Sequence, residues 1–388
     1  MSRLIVTGLD VGSAYVRVAV CGLVKNDKNP RILALSKVES KGLRRGYVIN
    51  IDEATAAIKQ AVKEAERAAN AKIKRVFVGL GGVTLESKIG ESQIVVSRAD
   101  SEITENDVNR ALELAEANVA ELANSRIIHA IPLLFKLDGK KILGRPDGMH
   151  GNKLEVRVLF IVYLEQHLDN LLRAIEGAGL AVEDIVASPI AGSLPSLTTQ
   201  QKNVGCILTN IGSQTTALIV YEDGIPISLQ VLPLGSMDIT NDIALGLRVP
   251  LEEAERLKLS SENMLNFKKK LDEIIEARLS DMFELIESHL KKIGRNGLLP
   301  AGIFITGGGS QIANIEKLAK DALRLPAKVY WPNIVDHQSK NQIKDSGFLV
   351  TYGLCLFGLG TDLEETVTNR VIRRTKNKFL RWLKEFLP

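Results

Sequence analysis

Two segments 200 positions apart limit what this chain can fold into more than anything else in its 388 residues. LIVTGLDVGSAYVRVAVCGLV, starting at Leu4, and LTNIGSQTTALIVY, starting at Leu208, share one pattern: an apolar β-rich run, a glycine-containing turn and a second apolar run. In register, Asp10 faces Asn210, Gly12 faces Gly212 and Ser13 faces Ser213. Such a repeat predicts a duplicated, two-lobed architecture with both turns able to point into one cleft. Taken alone, it leaves two unrelated hairpins as an alternative. With 45% hydrophobic residues the chain can bury a core in each lobe.

Between and after these units the periodicity alternates. Residues 51–69 have helical spacing (Ala54, Ile58, Ala61, Val62, Ala65), and 73–80 return to a buried strand, as in an α/β lobe. From about Val83 to Phe160 the character changes to a polar strand, a helix opened by Thr104 with Glu105 and Asp107 in its first turn, and two further strands, which reads as a small inserted α+β subdomain. Helical spacing resumes over 165–176, and the second lobe is expected to begin near Ser188. There, 239–247, 252–258 and the long amphipathic stretch 267–293 read as helices. The run AGIFIT then leads into Gly307-Gly308-Gly309-Ser310 and a helix. Glycines at such a junction let backbone approach a ligand, and a helix start there would offer unpaired N–H groups.

Composition excludes several classes. Cys21, Cys206 and Cys355 lie far apart in apolar runs and read as small core residues. The five histidines form no HExxH or paired-ligand spacing, so a metal is expected only in company with phosphate, and His129 reads as structural. No apolar run reaches the roughly 18 residues of a membrane span, and no leader pattern opens the chain, so the body is expected in the cytosol. The net charge of +4 is unevenly placed: from Arg370 onward seven basic residues accompany one acidic residue, Glu385, leaving the body slightly negative and arguing against nucleic acid. In NKFLRWLKEFLP, Phe379, Trp382, Leu383, Phe386 and Leu387 fall on one helix face, Lys378, Arg381 and Lys384 lie around the other side, and Arg374 adds basic charge just upstream. This pattern predicts an amphipathic helix that lies on an anionic membrane. Docking onto protein is the alternative, although it gives the concentrated positive charge no purpose.

The order DxGS, NxGS, strand-GGGS resembles the two phosphate motifs and the adenosine motif of the actin superfamily. The inserted segment narrows this: EITENDVNRAL, IIHAIPLLFKLDG and RPDGMHGNKLEV are similar to the 1C subdomain of the bacterial cell-division FtsA family, and the likeness continues through LPLGSMDITNDIALGL, AERLK and EIIEARLSDMFELI. The resemblance implies a two-lobed actin-like α/β fold with an inserted α+β subdomain 1C and a C-terminal amphipathic helix. The implied bounds are subdomain 1A over 1–82 and 161–188, 1C over 83–160, 2A over 189–240 and 302–349, 2B over 241–301, a return to 1A over 350–361, a linker over 362–369 and the membrane helix over 370–388. It also implies ATP with Mg²⁺ as cofactors, self-assembly into filaments, FtsZ (through its C-terminal tail), anionic lipids and other division proteins as partners, and a peripheral place on the inner face of the membrane at the division site. Nucleic acid is not among the implied partners.

Carried over residue by residue, Gly12, Ser13, Ala14, Tyr15 and Arg17 form the first phosphate turn. Asn210, Gly212, Ser213, Gln214 and Thr215 form the second, with Gly235 and Ser236 beside it. Gly307, Gly308 and Gly309 form the adenosine loop, Glu255 and Lys258 reach adenosine, and Asp10 holds Mg²⁺ through water. Backbone contacts to nucleotide are expected at Gly12, Gly212 and Gly308. Two alternatives stay open here: Glu255 and Lys258 as a solvated helix pair, and Arg17 as an outward strand residue. Three departures touch this site: Asn210 stands where the family has aspartate, Tyr15 where many members have lysine, and Ser236 where a second glycine is usual. An amide at 210 carries no charge and cannot serve as a base, so at most a slow ATPase is expected. A pilus-assembly scaffold similar to PilM and a small-molecule kinase of the same fold are the competing readings.

Overall fold

The computed structural model describes residues 4–23, 30–98, 100–120, 122–259, 268–330, 334–335, 342–343 and 345–367. The basic segment carrying Arg374, Lys378, Phe379, Arg381, Trp382, Leu383, Lys384, Phe386 and Leu387 lies outside them.

Two five-stranded sheets are laid out alike. The first runs in the order Ala181–Ala187, Arg75–Leu80, Leu4–Val11, Tyr15–Leu23, Arg31–Glu39, and the second in the order Ala327–Val329, Gly302–Thr306, Cys206–Ile211, Thr216–Glu222, Ile225–Leu232. Registers match as well as order: Asp10 pairs antiparallel with Arg17 and parallel with Gly79, while Asn210 pairs with Ala217 and with Thr306. The repeat in the sequence is therefore a duplicated lobe, and unrelated hairpins are excluded. In the second lobe the crossover between the two parallel outer strands, from Thr306 to Ala327, carries the helix Ile315–Leu323. The equivalent first-lobe crossover, from Leu80 to Ala181, carries the helix Glu165–Gly177 together with the whole inserted segment.

Strand alternation divides the core. Cys206, Leu208, Ile219, Tyr221 and Phe304 face the first lobe, whereas Ile207, Ile211, Leu218, Val220, Ile303 and Ile305 face the helices Ser236–Leu247, Leu251–Leu259 and Lys268–Lys292. The helix Ser188–Ser196, expected to open the second lobe, packs with Ile190 and Ala191 in the first core against the last helix, Leu349–Val367. A Cβ at Gly353 would overlap the Ala191 carbonyl, so that close helix crossing needs glycine. The last helix also runs past its expected end to Val367, so residues 362–367 of the expected linker are helical; LEET offers helix formers and no breaker. All three cysteines are buried thiols, and burial pushes Cys206 up to about 12.

The insert forms a four-stranded sheet in the order Glu86–Val95, Lys153–Leu164, Ser125–Leu137, Lys140–Ile142, with the helix Glu105–Ala117 packed on it. Thr104 and Asp107 make the capping box their spacing suggests. Two contacts tie the insert to both lobes. His129 Nε2 accepts the Ala187 N–H at 3.0 Å, and burial holds this imidazole neutral by lowering it to about 3. Ser87 Oγ donates to the Leu229 carbonyl at 2.9 Å and accepts the Leu229 N–H at 2.8 Å.

Candidate nucleotide site

The two DxGS-like turns close in the same way, with Gly12 N–H donating to Tyr15 O at 3.1 Å and Gly212 N–H to Thr215 O at 2.8 Å. A Cβ at Gly12 or Gly212 would press on that same carbonyl, at 3.1 and 3.0 Å, so these glycines shape the turns. They were expected to contact nucleotide through their backbone, but their N–H groups are spent inside the turns. Among the described residues no hydrogen bond uses the N–H groups of Ser13, Ala14, Ser213 or Gln214. Each turn thus presents two adjacent unpaired donors, the arrangement that suits phosphate oxygens.

The turns converge on one point. Ser13 Oγ accepts the Gly46 N–H at 2.8 Å and Gln214 Oε1 accepts the Arg45 N–H at 2.6 Å. Beside them, Asp10 sits at the end of its strand with no ion pair or side-chain hydrogen bond among the described residues; burial raises its carboxyl to about 6, against a lowering pull from Arg17. Ser188 Oγ is buried without a partner and lies 3.0 Å from where a Gly79 Cβ would stand, and Asp10 Oδ1 lies 3.4 Å from it. An enclosed carboxylate and an orphaned hydroxyl in one corner fit a hydrated cation, because Mg²⁺ keeps several waters that need acceptors. No cluster of three metal-ligating side chains exists among the described residues.

The glycine triplet divides by role. At Gly307, with φ +87, a Cβ would overlap Asn210 Oδ1, and at Gly309 it would overlap Ile211 Cγ2. Both glycines let the loop rest on the second turn. At Gly308 a Cβ would meet nothing within 4 Å, so this is the position that faces open space. The expected helix start is displaced: Gly308–Gln311 is a single 3₁₀ turn and the helix begins only at Ile315, after a left-handed Asn314. Ser310 Oγ and Ser346 Oγ both donate to Gly307 O, at 2.7 and 2.9 Å, which fixes the loop without a helix.

Gly235 packs against Ser213, and the N–H groups of Ser236 and Met237 donate to Gly212 O and Ser213 O at 2.9 and 2.8 Å. Ser236 takes part through its backbone N–H, which a serine supplies as well as a glycine would. Lys258 is no solvated partner for Glu255. Its Nζ is buried and donates to Ser236 O at 3.1 Å, Thr240 Oγ1 at 2.8 Å and Glu255 Oε2 at 2.6 Å. Those bonds use all three ammonium protons, so Lys258 positions Glu255 and only the carboxylate can meet a ligand. Arg17 is held over the Tyr15 and Phe348 rings, at 5.2 and 5.9 Å, and Lys37 Nζ lies 4.3 Å from the Tyr15 ring while pairing with Asp345 at 2.9 Å. Positive charge therefore surrounds Tyr15 although its own side chain carries none.

The sequence motifs leave out Gly79, Gly81, Gly82, Ser188 and the Arg45–Gly46 tip. One signal points to part of this set: RVFVGLGG stands in the first lobe where GIFITGGG stands in the second, so the duplication extends to it.

A family model described as cell division protein FtsA matches residues 207–353, and one described as the SHS2 domain inserted in FtsA matches residues 83–162. The chain is 32% identical over 370 residues to cell division protein FtsA of Neisseria meningitidis serogroup B, covering 89% of this chain and 88% of that one. The chain belongs to the FtsA family. Cell division protein FtsA of Bacillus subtilis is 30% identical over 371 residues, covering 90% and 82%. Among solved structures, PilM of a PilM-PilN type IV pilus biogenesis complex aligns at TM-score 0.70 and 20% identity over 91% of this chain and 98% of that one, and MreB5 of Spiroplasma citri bound to ADP aligns at 0.53 and 14% over 93% and 98%. At those identities the likeness is one of actin-like fold, whereas membership of the FtsA family rests on sequence. No helix among the described residues is long and apolar enough to cross a membrane.

Proposed function

We propose that this FtsA-family chain binds ATP with Mg²⁺ between its lobes, polymerises, and anchors FtsZ filaments to the inner face of the cytoplasmic membrane during division. The observation that carries the nucleotide part is the meeting of two equivalent turns whose unpaired N–H groups number two apiece. Ser13, Ala14, Ser213 and Gln214 would hold the phosphates, Asp10 and Ser188 the waters of the cation, Gly308 the adenine side and Glu255 the ribose. The bound cation would supply charge neutralisation for the phosphate chain. Asn210 orients by hydrogen bonding only, so turnover is slow and occupancy of the site acts as a static brace on lobe orientation.

The membrane part rests on the sequence of the tail. Each basic residue near an anionic surface contributes on the order of 1 kcal/mol, and the apolar stripe adds its burial. A single tail gives weak, reversible binding, and a filament displaying one per subunit binds far more tightly through effective concentration. Co-sedimentation with anionic, protein-free liposomes tests this: the full chain should pellet, Trp382→Glu should not, and a chain ending at Asn369 that pellets equally well would refute the tail as anchor. A pilus-type scaffold, the competing reading, would not pellet unaided.

A further inference from the structure

The hairpin Leu43–Arg44/Tyr47–Val48 turns through Arg45 and Gly46, both with positive φ, +50 and +82, which makes a tight two-residue loop. It is rooted in the first lobe. Tyr47 stacks on His167 with ring centroids 3.8 Å apart, and the tip approaches Gly82 so closely that a Cβ at Gly46 would lie 2.5 Å from Gly82 Cα. Yet the tip reaches the second lobe, because the Arg45 N–H donates to Gln214.

The direction of the two tip bonds carries the inference. A backbone N–H can only donate, so Gln214 must present its carbonyl oxygen to Arg45 and Ser13 must present a lone pair to Gly46. The Gln214 NH₂ group and the Ser13 hydroxyl proton are then left to point elsewhere. The ionised oxygens of a metal-bound triphosphate near neutral pH accept and do not donate. We propose that the Arg45 and Gly46 N–H groups are positioning groups for a nucleoside triphosphate: they turn Ser13 and Gln214 into obligate donors to its phosphate chain, and they make the relative orientation of the lobes part of the binding site. This rests on the nucleotide reading above and adds to it an element absent from the phosphate and adenosine motifs.

The test combines hydrogen–deuterium exchange over residues 40–50 with ATP·Mg²⁺ affinity by calorimetry, on the full chain. Gln214→Ala removes the acceptor, so exchange at the tip should speed at least tenfold and ATP should bind at least tenfold more weakly. Gln214→Glu still accepts from Arg45 but has no proton to donate. Its tip should stay protected as in the unmodified chain while ATP affinity again falls at least tenfold. Unaltered tip exchange in Gln214→Ala or full ATP affinity in Gln214→Glu would each overturn the proposal. Should the unmodified chain show the protected tip and bind no triphosphate, the nucleotide site itself fails, and that result is separable from the other two.

Discussion

Replacing Gly308 with valine isolates the member of the glycine triplet that faces open space. A Cβ there meets nothing within 4 Å, and no positive φ constrains the position, so the fold should accept the side chain at a cost below about 1 kcal/mol. The proposed function puts the adenine side of the nucleotide in this same space. Three carbons in a volume that ligand must fill amount to overpacking, at roughly 1–3 kcal/mol, or about 5- to 150-fold in Kd. Gly309→Ala is the matched control. Its single carbon would overlap Ile211 Cγ2, so it should lose roughly 1–3 kcal/mol of stability and disturb the second turn through the fold. Calorimetry for ATP beside thermal melts separates the two: valine at 308 weakens ATP with the melting temperature kept, and alanine at 309 lowers the melting temperature. Unchanged ATP affinity in Gly308→Val would refute the placement of the loop at the nucleotide.

Asp10 should destabilise the unliganded chain as pH rises through the window from about 4 to about 6, since its folded value lies above its unfolded one; Asp10→Asn should then be more stable at pH 7.5 by at most roughly 3 kcal/mol, equal at pH 4, and deficient in Mg²⁺-dependent ATP binding, read by melts with and without ligand. His129 has the opposite sign. Its depressed value gives stability present above about 6.5 and lost as pH falls toward about 3, so His129→Phe, which orphans the Ala187 N–H, should cost roughly 1–3 kcal/mol at pH 7 and flatten the acid limb of a pH–stability curve. Asn210→Asp should raise phosphate release in a steady-state ATPase assay with little change in ATP affinity; equal rates would show that another residue governs hydrolysis.

The duplicated lobe is readable because the repeat is local. Two strands and a tight turn are specified by residues adjacent in the chain, so Asp10/Asn210 and Gly12/Gly212 align from the order of residues alone. The helix Ile51–Ala69 is readable for the same reason: its buried stripe of Ala54, Ile58, Ala61, Val62 and Ala65 is written at helical spacing, and Asn50 caps it.

What each site residue does is decided by contacts between distant segments. Periodicity cannot reveal that Gly307 and Gly309 rest on Asn210 and Ile211 while Gly308 faces open space, since the three glycines are chemically identical and differ only in what the fold brings near them. Nor can the i, i+3 spacing of Glu255 and Lys258 tell a solvated pair from an ammonium buried against Ser236 and Thr240. The helix Ser188–Ser196, expected to open the second lobe, packs between the two sheets, with Ser193 Oγ bonded to the Tyr221 hydroxyl and Ile190 and Ala191 in the core beside the last helix; it is buried nearly all round, so no stripe in its sequence assigns it to one face. Sequence by itself thus determined the two strand–turn–strand units, the long amphipathic helices, the duplication and the chemistry available to the cleft. Tertiary structure alone decided which donors remain unpaired there, because a backbone N–H becomes a phosphate ligand only once every other acceptor has been placed out of its reach.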